Sequence, residues 1–159
     1  MEKTYRVIWI LIFLLAVSNE VSAQKMDNQL MLQEVNKVRS KKCKCGAKKF
    51  KSAPNLTWDV RLEQAAKRHA EDMSQKKFLN HTGTAKSTVA IRVTDEEFTW
   101  QLVGENIAEG YPDVISVVSG WVNSPGHCKN IMNPEFTHLG AAVSSDGKYW
   151  VQVFATPMK

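Results

Sequence analysis

Hydrophobic residues recur at helical spacing in four stretches of the chain, and near the C-terminus they alternate with polar ones. In DNQLMLQEVNKVRS, Met31, Leu32, Val35 and Val38 fall on one stripe of a 3.6-residue period, with Asp27 or Asn28 placed to cap the first turn. LTWDVRLEQAAKRHAEDMSQKKF carries the strongest helical pattern. Leu62, Ala65, Ala66, His69 and Met73 form its stripe, and its alanines favour helix intrinsically. Val114, Val117, Val118 and Trp121 share one face of PDVISVVSGWVNS, a third helix. SPGHCKNIMN predicts a fourth, with Ser124 at the N-cap and Pro125 at the first helical position, where a missing N–H costs nothing. NHTGTAKSTV reads as a loop leading into a short helix, and TWQLVGENIAEG, apolar and closed by glycines, as a strand or extended segment. HLGAAVSSDGKYWVQVFAT alternates on both sides of Asp146-Gly147, the signature of a hairpin. Helices first and an antiparallel pair last predict an α+β domain.

The first 23 residues follow a different logic. MEKTYR is polar and carries Lys3 and Arg6, VIWILIFLLAV is an apolar run of 11 residues, and Val21-Ser22-Ala23 offers a small-x-small cut before Gln24. Together these predict a secretory signal peptide over 1–23 and one domain over 24–159. The alternative, a retained membrane anchor, is disfavoured because spanning a bilayer takes roughly 20 apolar residues. The expected location is therefore secreted or periplasmic, with no transmembrane anchor after cleavage.

Losing that leader removes Lys3, Arg6, Glu2 and Glu20, so the formal charge stays at +5. Eight cationic residues fall between Lys37 and Lys51, in KVRSKKCKCGAKKFK, with no acid among them. The segment reads either as a patch for an anionic surface (wall polymer or lipid headgroup) or as a solvated basic loop. Nucleic acid is disfavoured by export. Three cysteines, Cys43, Cys45 and Cys128, enter an oxidising compartment. C-x-C lacks the second pair of a structural zinc site, and residues so placed rarely bond to each other. Cys128 is therefore expected to pair with Cys43 or Cys45, closing a loop of more than 80 residues. Such a closure stabilises by up to roughly 4–5 kcal/mol through the unfolded state.

Candidate chemistry centres on four histidines and one acid. His69 lies on an apolar stripe and reads as a hydrogen-bonded core residue, and His138 opens a strand at the surface. His81 sits in the glycine-bounded loop FLNHTG, and His127 in the first turn of a short helix. Glu105, in VGENIAEG, is a carboxylate in an otherwise apolar segment, which requires a specific partner.

LTWDVRLEQAAKRHAEDM, FLNHTG, GENIAEG, GWVNSPGHCKNIMNPEFTHLGAA and YWVQVF occur in the order found in the CAP (SCP-like) superfamily, which the chain resembles from about Met26 to Pro157. The resemblance is to its secreted bacterial branch, and it implies a three-layer α-β-α sandwich around a small antiparallel sheet. It also implies a cleft lined by two histidines and two acids. The histidines match His81 and His127, and the first acid matches Glu105. The second acid falls on Ser124, a departure that puts a four-residue metal or acid–base site in doubt. A helix N-terminus disfavours an imidazolium, so His127 is expected to stay neutral. Cys128 is read as structural rather than as a nucleophilic thiol.

The function this implies is a secreted, non-catalytic binding module. Its ligand would be a metal ion, lipid, peptide or cell-wall fragment held by His81, Glu105, Ser124 and His127. If an ion is bound, zinc is expected, on His81 and His127. The alternative is a metal-dependent, peptidase-like hydrolase using the same cleft, and a purely structural secreted domain is a third reading. Against the hydrolase, the chain has no H-E-x-x-H, and Val122 stands where a nucleophile elbow at Ser124 needs glycine.

If the 37–51 segment meets anionic surfaces, attachment falls with salt. Replacing Lys41, Lys42, Lys48 and Lys49 by Gln is then expected to abolish binding to anionic wall or lipid preparations without unfolding the domain. Unchanged binding in a sedimentation assay returns the segment to a solvated loop.

Overall fold

A computed structural model describes residues 26–159, so the signal peptide expected over 1–23 lies outside the described residues. In chain order the elements are α1 (Asn28–Arg39), β1 (Cys43–Cys45), β2 (Lys48–Phe50), β3 (Thr57–Trp58), α2 (Val60–Lys76), α3 (Val89–Asp95), β4 (Trp100–Glu109), α4 (Val114–Asn123), α5 (Pro125–Met132), β5 (His138–Val143) and β6 (Tyr149–Pro157). A short 3-10 turn, Thr84–Lys86, precedes α3. Among the described residues no helix is long and apolar enough to cross a membrane.

The helix starts follow capping chemistry. Asp27 accepts the Leu30 N–H at 2.9 Å, which settles the choice between Asp27 and Asn28. Asp59 accepts the Arg61 N–H at 2.8 Å and starts α2 at Val60, later than the stripe suggested. Thr57 and Trp58, released from the helix, instead pair in parallel with His138 and Leu139.

The main sheet has the order β3-β5-β6-β4. The three long strands run antiparallel, as expected, and the short β3 adds a parallel edge. Alternation along β6 divides the core in two. Trp150 and Phe154 face α1, α4 and α5, while Val151, Val153 and Ala155 face α2 and α3. The result is the expected three-layer α-β-α sandwich. The α2 layer sits so close to β5 that a Cβ on Gly140 would lie 2.1 Å from the Glu63 nitrogen. Only glycine permits that approach.

The basic segment departs from expectation in two ways. It is not all loop: Lys37–Arg39 close α1, as the helical stripe predicts, and β1 and β2 form an antiparallel ribbon turning at Gly46, whose φ is +62°. Nor is all of its charge at the surface. The six lysines from Lys41 to Lys51 and Lys37 are exposed, but Arg39 is 0% exposed. Its guanidinium donates to the carbonyls of Pro54 (2.7 Å), Ile131 (2.7 Å), Asn133 (2.8 Å) and Phe136 (3.2 Å). Burial pulls its pKa down to about 10, so it remains cationic at neutral pH. Ile131 and Asn133 lie at the C-terminal end of α5, where orphan carbonyls and the helix dipole favour a cation. Arg39 therefore leaves the surface patch and joins α1 to the end of α5.

The ribbon is fastened to the other end of α5. Cys45 bonds Cys128, with Cα atoms 5.4 Å apart and a sequence separation of 83, and Cys43 remains a thiol. Of the two pairings expected, the inner cysteine of the ribbon is the one used.

Arg39→Met removes one donor group from four carbonyls and leaves buried acceptors unpaired. Urea unfolding is expected to show a loss of about 3–5 kcal/mol. A loss below roughly 1 kcal/mol contradicts this role for the guanidinium.

Candidate functional site

Glu105 lies in the middle of β4, paired with Val153 of β6. Val103 and Ile107, two residues to either side of it, pack against the α2–α3 core cluster, so the Glu105 side chain faces that layer too. It is 2% exposed. A carboxylate so placed needs compensation, and two groups provide it. Arg92 of α3 binds Oε2 through Nη2 at 2.6 Å, and His81 Nδ1 donates to Oε1 at 2.8 Å.

The neighbours of Glu105 are held in turn. Arg92 Nη1 donates to the Ser87 carbonyl at 2.8 Å, and Nη2 to the His81 carbonyl at 3.3 Å. His69, the expected core histidine of α2, is buried, and its Nε2 donates to the Asn80 carbonyl at 2.8 Å. It therefore positions the backbone just before His81. The same nitrogen lies 4.0 Å from Glu105 Oε1, so this histidine borders the site as well as filling the core. A cavity of about 180 Å³ between α2 and α3 shares His69 and Arg92 with this network. The buried His69 Nδ1 and Arg92 Nε have no protein partner, and a polar cavity of that size is roomy enough for ordered water.

His127 lies on α5 in the opposite layer, near enough to His81 for that imidazole's charge to lower its pKa. Its helix, α5, is tied to β4 by amides. Asn130 donates to the Glu105 carbonyl at 3.0 Å and to Asn106 Oδ1 at 2.9 Å, while Asn106 donates to the His127 carbonyl at 3.2 Å. The site thus straddles β4, the edge strand of the sheet. No hydrogen bond joins the His127 ring or Ser124 to Glu105 or His81 among the described residues. Ser124 is the N-cap residue of α5, but its side chain makes no capping bond. His138 stands apart, with Nδ1 2.8 Å from Thr137 Oγ1 and its ring against Phe98.

The pKa values of His81 and His127 shift in opposite directions. The hydrogen bond to Glu105 raises the His81 pKa above the ordinary imidazole value, against the opposing effect of burial. Burial, and then the His81 charge, lowers that of His127. Neutrality of His127 is therefore favoured, by burial first and then by the His81 charge. Burial also lowers the His69 pKa. The His81–Glu105 bond contributes stability below the unfolded imidazole value, about 6.5, and loses it as pH rises through the higher folded pKa. His69 and His127 act oppositely: their stability falls as pH drops below about 6.5 toward their lower folded values.

The donor set suits a metal poorly. Arg92 and His81 already engage both Glu105 oxygens, and the remaining imidazoles and the Ser124 hydroxyl fall short of three firm ligands. Among the described residues, the cluster of His, Cys, Asp or Glu side chains close enough to share an ion is the cysteine trio, not this site. Arg92 is the member that residue patterns missed. The buried Glu105 signalled the need for a partner, but no spacing rule points to an arginine 13 residues earlier.

Comparison with known proteins gives concordant matches. The profile of the Cysteine-rich secretory protein family (CAP) matches residues 32–154. The uncharacterized membrane protein YlbC of Bacillus subtilis (strain 168) is 37% identical over 99 residues, 62% of this chain and 28% of that protein. An extracellular protein containing a SCP domain from Bacillus anthracis str. Ames superposes with a TM-score of 0.71 at 31% identity, over 80% of this chain and 39% of that one. An outer surface protein from Borrelia burgdorferi superposes with a TM-score of 0.71 at 22% identity, over 86% and 99% of the respective chains. The chain thus spans less than two fifths of each of the two Bacillus subtilis relatives it matches.

Glu105→Gln leaves the Arg92 charge buried without its partner, a change expected to cost about 3–5 kcal/mol in urea unfolding. Adding Arg92→Met removes that stranded charge, so the double variant should lose clearly less than the sum of the single losses. Additive losses contradict the pairing.

Proposed function

Because the chain belongs to the Cysteine-rich secretory protein (CAP) family, we propose that it is an exported binding module whose edge-strand cleft takes the carboxylate of a cell-wall peptide. One observation carries this reading: Arg92 and His81 occupy both oxygens of Glu105. That arrangement spends Glu105 on raising the His81 pKa, rather than on a metal or on proton abstraction. His81 keeps Nε2–H as a donor, and its side chain is 58% exposed. The neutral His127 ring adds a second hydrogen-bonding group without like-charge repulsion. The lysine-rich ribbon, bonded to α5 beside His127, adds attraction for anionic wall material. Export is supported by the leader read in residues 1–23 and by the extracellular and outer-surface character of two structural relatives. The hydrolase alternative needs Glu105 released from Arg92, and no observation favours that.

The test compares a synthetic wall-type stem peptide ending in a free carboxylate with its C-terminal amide, by calorimetry at about pH 5.5 and pH 8, either side of an ordinary histidine. The acid is expected to bind more tightly than the amide, and more tightly at the lower pH. Glu105→Gln should remove most of that pH dependence. Mass spectrometry should recover the peptide intact. Equal binding of acid and amide, or cleavage of the peptide, overturns the reading.

A further inference from the structure

A disulfide needs two sulfurs, yet the fold brings three together. Cys43 and Cys45 are two residues apart on β1 and so share one face of the ribbon. Cys128 meets that face from α5. The three Sγ atoms all lie within 4.8 Å of one another, and those of Cys43 and Cys128 are 3.7 Å apart. Zinc–thiolate bonds of about 2.3 Å in tetrahedral array place sulfurs roughly 3.7–3.8 Å apart. We propose that, with all three cysteines reduced, the chain binds one thiophilic d10 cation of the zinc class through Cys43, Cys45 and Cys128.

The chemistry of the surroundings fits. C-x-C supplies two thiolates from one short ribbon, and the fold supplies the third, which the local motif lacks. Thiolate sulfur selects soft and borderline ions of this kind. A three-thiolate complex of a divalent ion carries one net negative charge, and Lys41, Lys42, Lys44, Lys48 and Lys49 are exposed around the ribbon to offset it. Cys43 itself is half-buried against the Cys128 sulfur rather than displayed to solvent.

The ion and the Cys45–Cys128 bond exclude each other, because the bond removes two of the three ligands. A chain not yet oxidised presents three thiols, and the cation displaces one proton from each as it binds. Starting from the oxidised chain, a dithiol reductant passes two electrons and two protons to the disulfide and leaves as its own cyclic disulfide. The cation then binds the three thiols as before. Either cross-link pins the ribbon to α5, so the metal replaces the disulfide under reducing conditions and keeps His127 in place.

The experiment titrates the full mature chain with Zn2+ alone, anaerobically, after reduction with a phosphine and, separately, with the disulfide intact. The reduced chain is expected to bind one ion, release three protons and lose three reagent-accessible thiols; the oxidised chain should show no such binding. Cys43→Ser keeps the disulfide and the fold, and in the reduced state it should bind at least about tenfold more weakly. The pair His81→Ala and His127→Ala should leave the reduced-state affinity unchanged, which separates this site from the edge-strand cleft. If reduction loosens the fold, recovery of the native near-ultraviolet spectrum on adding Zn2+ supports the proposal, and failure to recover it counts against it. Equal affinity in the oxidised and reduced chains, or in Cys43→Ser and wild type, overturns it.

Discussion

A carboxylate in the middle of a sheet cannot stand alone, and the arrangement around Glu105 follows from that constraint. Removing an ionised group from water costs several kcal/mol unless opposite charge and hydrogen bonds replace the lost hydration. Arg92 supplies the charge and His81 completes the coordination. Each partner must then be fixed itself. The Ser87 and His81 carbonyls orient Arg92, and His69, through the Asn80 carbonyl, sets the loop that presents His81. Three consecutive elements, α2, the loop after it and α3, are thereby organised around one side chain of β4.

The other layer is joined to the same strand by neutral groups. Asn106, next to Glu105, points to the opposite face and meets Asn130 and the His127 carbonyl. The helix carrying His127 is also held at both ends, by the Cys45–Cys128 bond near its start and by the Arg39 guanidinium at its last carbonyls. This buried arginine and the buried Arg92 serve different ends: one satisfies carbonyls, the other a carboxylate. The imidazole beside Glu105 on one layer has its pKa raised, and that of His127 on the other layer has its pKa lowered. That asymmetry underlies the proposed binding of a carboxylate.

The helical stripes and the Asp146-Gly147 hairpin were readable from the residues because their periods are local and extend over several turns or pairs. Strands of two or three residues have no period to detect, so Thr57–Trp58 merged with the helix after it and Cys43–Phe50 passed for a loop. Arg39 was counted with the lysines around it because a run of like charge does not reveal that four carbonyls, three of them more than 90 residues later, converge on one member. Glu105 could be singled out by its polarity in an apolar segment, and His81 and His127 by family resemblance. Arg92 could not, since its role arises only when α3 folds onto β4. The choice of Cys45 over Cys43 likewise depends on how the ribbon lies against α5.

Glu105 raises the His81 pKa, while burial lowers that of His127. A proton NMR titration of the imidazole resonances, assigned by single histidine replacements, tests it most directly. A His81 midpoint above the ordinary imidazole value of about 6.5 and a His127 midpoint below it are expected. Coincident midpoints, or His127 titrating above His81, would contradict it.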